Sequence, residues 1–274
     1  MIRIMVDSAA DCGKDAYDLF VPLRVCFGGK EFHDGVDLCA DRFYELLTGS
    51  GEFPKTSQPS PEDFLAQFQK AVDAGEDVIY FVLSSALSGT YQSARIARQI
   101  LDYDRIHIVD TAAVSHMIPV LAQQAAGRIR EGWSVEAILE ECESLKGRIR
   151  VYAGVDTLEY LYRGGRLSKA SAAVGELAGI KPIVTLTQEG AVQACAKSIG
   201  IPRAIKWIQE KVKKSRIDPE FPVVTLYTQG QTHVEKLEAG LEAAGIAVDG
   251  RRQVGPTIGA HVGPNVYGVL FVEQ

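Results

Sequence analysis

Val78-Ile79-Tyr80-Phe81-Val82-Leu83 is an unbroken apolar run, and Ser84-Ser85-Ala86-Leu87-Ser88-Gly89-Thr90 follows it directly. Six apolar residues without alternation suit a strand covered on both faces, as in a parallel sheet. Beyond the serine-rich loop a helix reads from about Tyr91 to Leu101, so the unit is strand, loop, helix. Upstream, Ile2–Val6 and Val21–Phe27 read as strands, the second with Pro22 near its start, and Asp41–Leu47 has helical spacing. Ser60-Pro61-Glu62-Asp63 opens another helix, with serine as N-cap, proline at the first helical position and acids in the first turn. That helix runs to about Ala74 and stops at Gly75. Downstream come a strand at Ile106–Val109 and helices at Val114–Arg130 and Val135–Leu145. This alternation predicts βαβ units and a Rossmann-like, mainly parallel sheet.

Around Lys146–Val151 the rhythm changes. Thr157–Tyr162 is helical, Arg163-Gly164-Gly165-Arg166 is a loop, and Ile183–Leu186 is a strand. A helix at Pro202–Lys213, a strand at Pro222–Thr228 and a helix at Thr232–Ala244 follow, then a glycine-rich loop, Val254–Pro264, and a strand, Tyr267–Val272. The pattern places a boundary near residue 150, giving an α/β domain over 1–150 and a second α/β domain with a mixed sheet over 151–274. No long linker separates them, so broad contact is expected, and a cleft between domains is the default ligand site.

Composition narrows the function. Of the 274 residues, 46% are hydrophobic and 23% charged, and the formal charge is −6. No net field draws such a chain to nucleic acid or anionic lipid. No apolar run approaches the roughly 20 residues of a membrane-spanning helix, and Met1–Asp7 lacks a signal peptide's apolar core. A cytoplasmic protein without membrane insertion is expected. Cys12, Cys26, Cys39, Cys142 and Cys195 form no CxxC pair, which favours free thiols in a reducing compartment. The five histidines show neither HExxH spacing nor clustering with cysteines, so no metal site is expected.

Three segments are rich in hydroxyl residues and glycine: Lys55-Thr56-Ser57-Gln58-Pro59-Ser60-Pro61, the loop Leu83–Thr90, and Gly255–Pro264. The second follows the carboxyl end of a buried strand, where ligands bind in open parallel sheets. Its N–H groups, its hydroxyls and the next helix's N-terminus favour an anion. Neither GxxxxGK[ST] nor GxGxxG occurs, and Gly28-Gly29-Lys30 lacks the required spacing, which disfavours a nucleotide. Ser88 lacks the first glycine of GxSxG, since Ala86 stands there. A lipid hydrolase with Ser88 as nucleophile and His261 as base nevertheless remains an alternative. So does a phosphotransferase using Arg163 and Arg166, whose guanidinium groups suit phosphate or carboxylate.

In their order these segments resemble the DegV family of bacterial fatty-acid-binding proteins. The likeness runs from Val6-Asp7-Ser8-Ala9-Ala10-Asp11 through Val21-Pro22-Leu23 and Phe32-His33-Asp34-Gly35-Val36. It continues in Thr56–Pro61, Leu83–Ala94, Tyr160–Arg166, Ile180-Lys181-Pro182-Ile183 and Gly259–Pro264. The resemblance implies a two-domain, non-catalytic protein without cofactor that holds one long-chain fatty acid, such as palmitate, in an interior tunnel. It implies an acyl chain in the first domain and a second domain closing the head-group cleft. Thr56 and Ser88 would contact the carboxylate, with Ser57, Ser85, Gly89 and His261 nearby. It also implies a partner, an ATP-dependent fatty acid kinase that makes an acyl phosphate for phospholipid synthesis, with Arg163 and Arg166 near the phosphoryl group or the partner's surface.

Two departures stand out. Family members usually place a glycine soon after the serine that follows Val109-Asp110-Thr111, whereas Ser115-His116-Met117 has none. Members also carry an arginine in a Lys-x-Arg stretch expected to begin the first long helix of the second domain. Lys197-Ser198-Ile199-Gly200 puts Ile199 there, with Arg203 a turn later, which bears on kinase coupling and not on lipid binding.

Overall fold

A computed structural model describes residues 1–167 and 179–274. The first sheet is wholly parallel, in the order β2(Leu19–Val21), β1(Ile2–Asp7), β6(Asp77–Val82), β7(Ile106–Asp110). Val78 to Val82 are all fully buried at the centre of this sheet, the environment their unbroken apolar run requires. Helices α2(Pro61–Ala74) and α3(Thr90–Leu101) pack together on one side, α4(Met117–Arg130) and α5(Val135–Lys146) on the other. Ser60 caps α2 with a complete capping box in which Asp63 answers at the third position.

Val21–Phe27 is not one strand. Pro22 has no N–H to donate to a ladder, and the neighbouring Leu23 N–H turns to the Ser8 hydroxyl at 2.9 Å. The chain therefore leaves the parallel sheet after Val21 and enters a small antiparallel sheet, β4(Lys30–His33), β3(Arg24–Phe27), β5(Lys55–Ser57). Helix α1(Ala40–Ser50) packs Phe43, Tyr44 and Leu47 into the same cluster as Val25 and Phe27.

The second sheet starts at Ile149 and is mixed. Its order is β10(Val192–Ile199), β9(Ile180–Leu186), β8(Ile149–Gly154), β13(Tyr267–Val272), β11(Val224–Tyr227), β12(Gly250–Gln253), with only the β11–β12 pair parallel. Strict alternation sorts its two faces. Ile183, Val269 and Phe271 meet the helices α7(Ile201–Lys214) and α8(Thr232–Glu242), while Val224, Leu226, Leu270 and Val272 share one core cluster with Ile4, Met5 and Ile79 of the first sheet. The halves thus meet through buried side chains. Lys197-Ser198-Ile199 closes β10 instead of beginning a helix, because Gly200 turns the chain at φ +78° before α7. Ile199 is 68% exposed there.

Val254–Pro264, expected as a loop, contains α9(Pro256–Val262). Gly255 and Pro256 are its N-cap and first residue, start signals that the surrounding glycines obscured. Gly259 is required by packing: a Cβ there would stand 2.4 Å from the Tyr44 hydroxyl and 2.9 Å from the Phe43 ring. Asp34 accepts the Thr257 N–H at 3.1 Å in the helix's first turn, where the dipole favours an acid.

Candidate functional site

Four separate segments converge beneath the junction of the two halves. Thr56 comes from β5, Leu83, Leu87 and Ser88 from the loop after β6, Leu161 and Arg166 from α6(Glu159–Arg163) and its turn, and Thr257, Ile258, His261 and Val262 from α9. Together with Leu23, Val114 and Val192 they line a cavity of about 60 Å³. Period-two alternation decides between the adjacent hydroxyls of β5, turning Thr56 inward and leaving Ser57 exposed.

Thr56 Oγ1 lies 2.8 Å from His261 Nε2. The other ring nitrogen, Nδ1, is buried without a partner and faces Gly164, where a Cβ would stand 2.2 Å away. A proton on Nδ1 would be an orphaned buried donor, which structures avoid more strongly than an underused acceptor. The neutral ring therefore carries its proton on Nε2 and donates to Thr56, leaving the threonine O–H free to donate into the cavity. Burial and the nearby Arg166 push the His261 pKa down to about 4, so the ring is neutral across the physiological range. On the facing loop, Ser88 Oγ is 2.8 Å from Thr90 Oγ1 and accepts the Thr90 N–H at 3.3 Å.

The Arg163–Arg166 turn does less with its arginines than its sequence suggests, and more with its glycines. Gly164 lets the turn close on His261, and Gly165 supplies the left-handed φ of +74°. Arg166 reaches the cavity and donates to the Leu87 carbonyl at 2.9 Å, fixing the serine loop against α6. Arg163 points away, paired with Glu159 at 2.7 Å and stacked 4.1 Å above the Phe53 ring. Ser85 is also outside the cavity; its hydroxyl and N–H both bond Asp110. Gly89 is an exposed N-cap residue whose Cβ position lies 2.0 Å from Gln58 Oε1, so it lets two loops touch.

A triad is not formed. His261 Nε2 reaches Thr56 and not Ser88, and among the described residues no carboxylate meets Nδ1. Nor does any described group of three His, Cys, Asp or Glu side chains converge as metal ligands do.

A second cavity, about 80 Å³ and apolar throughout, adjoins the first and shares Val114, Leu161, Val192, Ile258 and Val262 with it. Its other walls are mostly from the second sheet, among them Val151, Ala153, Val184 and Leu226, with Val266 just before β13 and Met117 from α4. The apolar space beside the hydroxyls thus lies between the halves instead of inside the first. Periodicity could not reveal it, because each wall residue reads as ordinary core.

Around Ser115, where the sequence has no glycine, two residues take a backbone conformation that glycine enters more easily. Ala112 and Ser115 adopt left-handed φ of +51° and +53°, and the Ser115 N–H donates to the Ala9 carbonyl at 2.7 Å while its hydroxyl donates to Asp11. Those bonds hold a conformation that costs an L-residue roughly 1–3 kcal/mol.

No described helix is long and apolar enough to cross a membrane. A family model described as "Uncharacterised protein, DegV family" matches residues 1–274. A DegV domain-containing protein of Caldanaerobacter subterraneus subsp. tengcongensis is 37% identical over 279 residues, covering 100% of this chain and 99% of its own. A fatty-acid-binding DegV family protein from Thermus thermophilus superposes with a TM-score of 0.88 at 32% identity, covering 100% of this chain and 99% of that one. A stearic acid-binding protein from Eubacterium ventriosum does so with a TM-score of 0.84 at 25% identity, covering 100% and 98%. With the parallel sheet, the mixed sheet and the paired hydroxyls at their junction, these matches place the chain in the DegV family.

Proposed function

We propose that this chain holds one long-chain fatty acid, of the palmitate class, with its carboxylate between Thr56 and Ser88 and its tail in the apolar cavity between the halves. The observation that carries this reading is the meeting of two backed hydroxyls, Thr56 behind His261 and Ser88 behind Thr90, with a cavity that is apolar throughout. Related proteins described as binding fatty acids support it. Thr56 accepts from His261 and Ser88 from the Thr90 N–H, so each hydroxyl has its proton available for an anion that only accepts.

The affinity comes from the tail. Burying about 15 carbons at roughly 0.8 kcal/mol each gives about 12 kcal/mol gross, before association and ordering costs. Cavities of about 60 and 80 Å³ are smaller than the roughly 300–1,000 Å³ of ordinary ligand pockets. The walls therefore part as the chain enters. Thr56, backed by neutral His261, and Ser88 hold the carboxylate by hydrogen bonds, with Arg166 as the one cation among the described residues that line the same cavity. In this reading the protein is a non-catalytic carrier in the cytoplasm, divided near residue 150, that presents its acid to an ATP-dependent fatty acid kinase for acyl-phosphate formation and phospholipid synthesis. Arg166 at the mouth is the cation placed to meet a phosphoryl group, and Ile199 gives the surface its own character.

Native mass spectrometry of the purified chain with added palmitate tests the reading. One acid per chain is expected, retained at least tenfold less tightly by Thr56→Ala and by Ser88→Ala. Absence of binding, or unchanged affinity in both variants, would reject it.

A further inference from the structure

The apolar cavity has two ends. Away from the hydroxyls it shares Met117, Val151, Thr185 and Leu186 with a groove of about 390 Å³, whose remaining walls include Lys146, Arg150, Gln188 and Gln193. Four side chains therefore separate an apolar interior from a polar one. Two of their residues are tied together, since the Thr185 hydroxyl donates to the Val151 carbonyl at 2.7 Å. The partition also spans elements that are loosely joined. β9 pairs with β8 only at Ala153–Val184 and Gly154–Ile183, so the β9–β10 hairpin runs on past the sheet. Its tip is held by the Ser84 hydroxyl, which donates to the Gly190 carbonyl at 2.9 Å. Met117 faces the hairpin from the first turn of α4.

We infer that Met117 and Leu186 are the length-determining residues of the acyl site, the movable half of a wall at which the tail stops. The inference rests on the fatty-acid reading and deepens it. Methionine is unbranched and leucine rotates about two bonds, so both can swing while the bonded Thr185–Val151 pair stays. A methylene short of the wall leaves water for an apolar surface, and each one raises affinity about fourfold. A methylene past the wall enters a groove lined by a lysine, an arginine and two glutamines, and adds little.

The test is a displacement titration, paired with native mass spectrometry, using saturated acids from ten to twenty-four carbons. The wild-type chain should show affinity rising with length and then levelling at a defined carbon number. Met117→Ala and Leu186→Ala should each move that break to acids two or three carbons longer, and Met117→Trp to shorter ones. Ile100→Ala, on the exposed face of α3, should leave it in place. Leu186 is only partly buried, so its truncation reads the wall even where a change at Met117 disturbs folding. A break at the same length in wild type and wall variants would overturn the inference while leaving fatty-acid binding intact. No binding of any acid by the wild-type chain would overturn the underlying reading as well.

Discussion

The two ends of the site are built by opposite rules. The hydroxyl end draws its residues from segments far apart in the chain and depends on close backbone approaches: Gly164 against His261, Gly89 against Gln58, Gly263 against Tyr160. The apolar end is walled by Val151, Ala153, Val184 and Leu226 of the second sheet together with apolar side chains of α4, α6 and α9. Singular contacts fix the position of each side chain and tolerate no added atom. An apolar wall tolerates exchange of one hydrocarbon side chain for another but not charge, since its contribution is area removed from water.

The largest expected effect sits where the two ends meet. Val192 lines both cavities, and Val192→Asp would place a carboxylate against the tail. Affinity for palmitate should fall at least a hundredfold in a displacement titration, because an unpaired charge in apolar surroundings costs several kcal/mol. Retained affinity would mean that the tail takes another path. Next, Gly164→Ala puts a methyl 2.2 Å from His261 Nδ1. The ring must move and Thr56 loses its donor, so retention should drop at least tenfold and the folded state weaken by about 1–3 kcal/mol, read by ligand titration and denaturant midpoint.

The polar junction gives a smaller, pH-dependent effect. Burial raises the carboxyls of Asp7 and Asp34 to about 6, and that of Asp11 well above its ordinary value. Their folded-state values exceed the unfolded value of 3.8. The native state therefore holds protons that the unfolded chain has released, and this stabilisation is complete below 3.8 and lost as pH rises through about 6. The melting temperature should climb as pH falls from 7.5 towards 5, and Asp34→Asn should flatten that slope. A melting temperature that falls over the same window would contradict the assignment. Smallest of all, Arg163→Ala should change palmitate affinity less than twofold, since that side chain is spent on Glu159 and Phe53. A tenfold loss would put the paired arginines back at the head group.

The segments with one local reading were legible from sequence. Val78–Leu83 could only be a strand covered on both faces, and Ser60-Pro61-Glu62-Asp63 could only start a helix, because capping and apolar covering are decided within a few residues. Thr56 and Ser88 are singled out by the family resemblance and not by their local sequence, which marks only hydroxyl-rich segments. Their neighbours Ser57 and Ser85 looked equivalent and are not, because strand alternation turns one outward and Asp110 holds the other. The α9 helix escaped notice because its one internal glycine, Gly259, is placed for Phe43 and Tyr44, more than two hundred residues earlier.

From the order of its residues alone, this chain was bound to form a parallel sheet followed by a mixed one, with hydroxyl- and glycine-rich loops at the ends of its strands. Only the folded arrangement decided which hydroxyls face inward, that His261 stands behind Thr56 and not Ser88, and that the apolar space runs between the halves. Local patterns are set by backbone sterics and burial over a few neighbours, whereas a cavity is the gap left among surfaces that meet from distant parts of the chain.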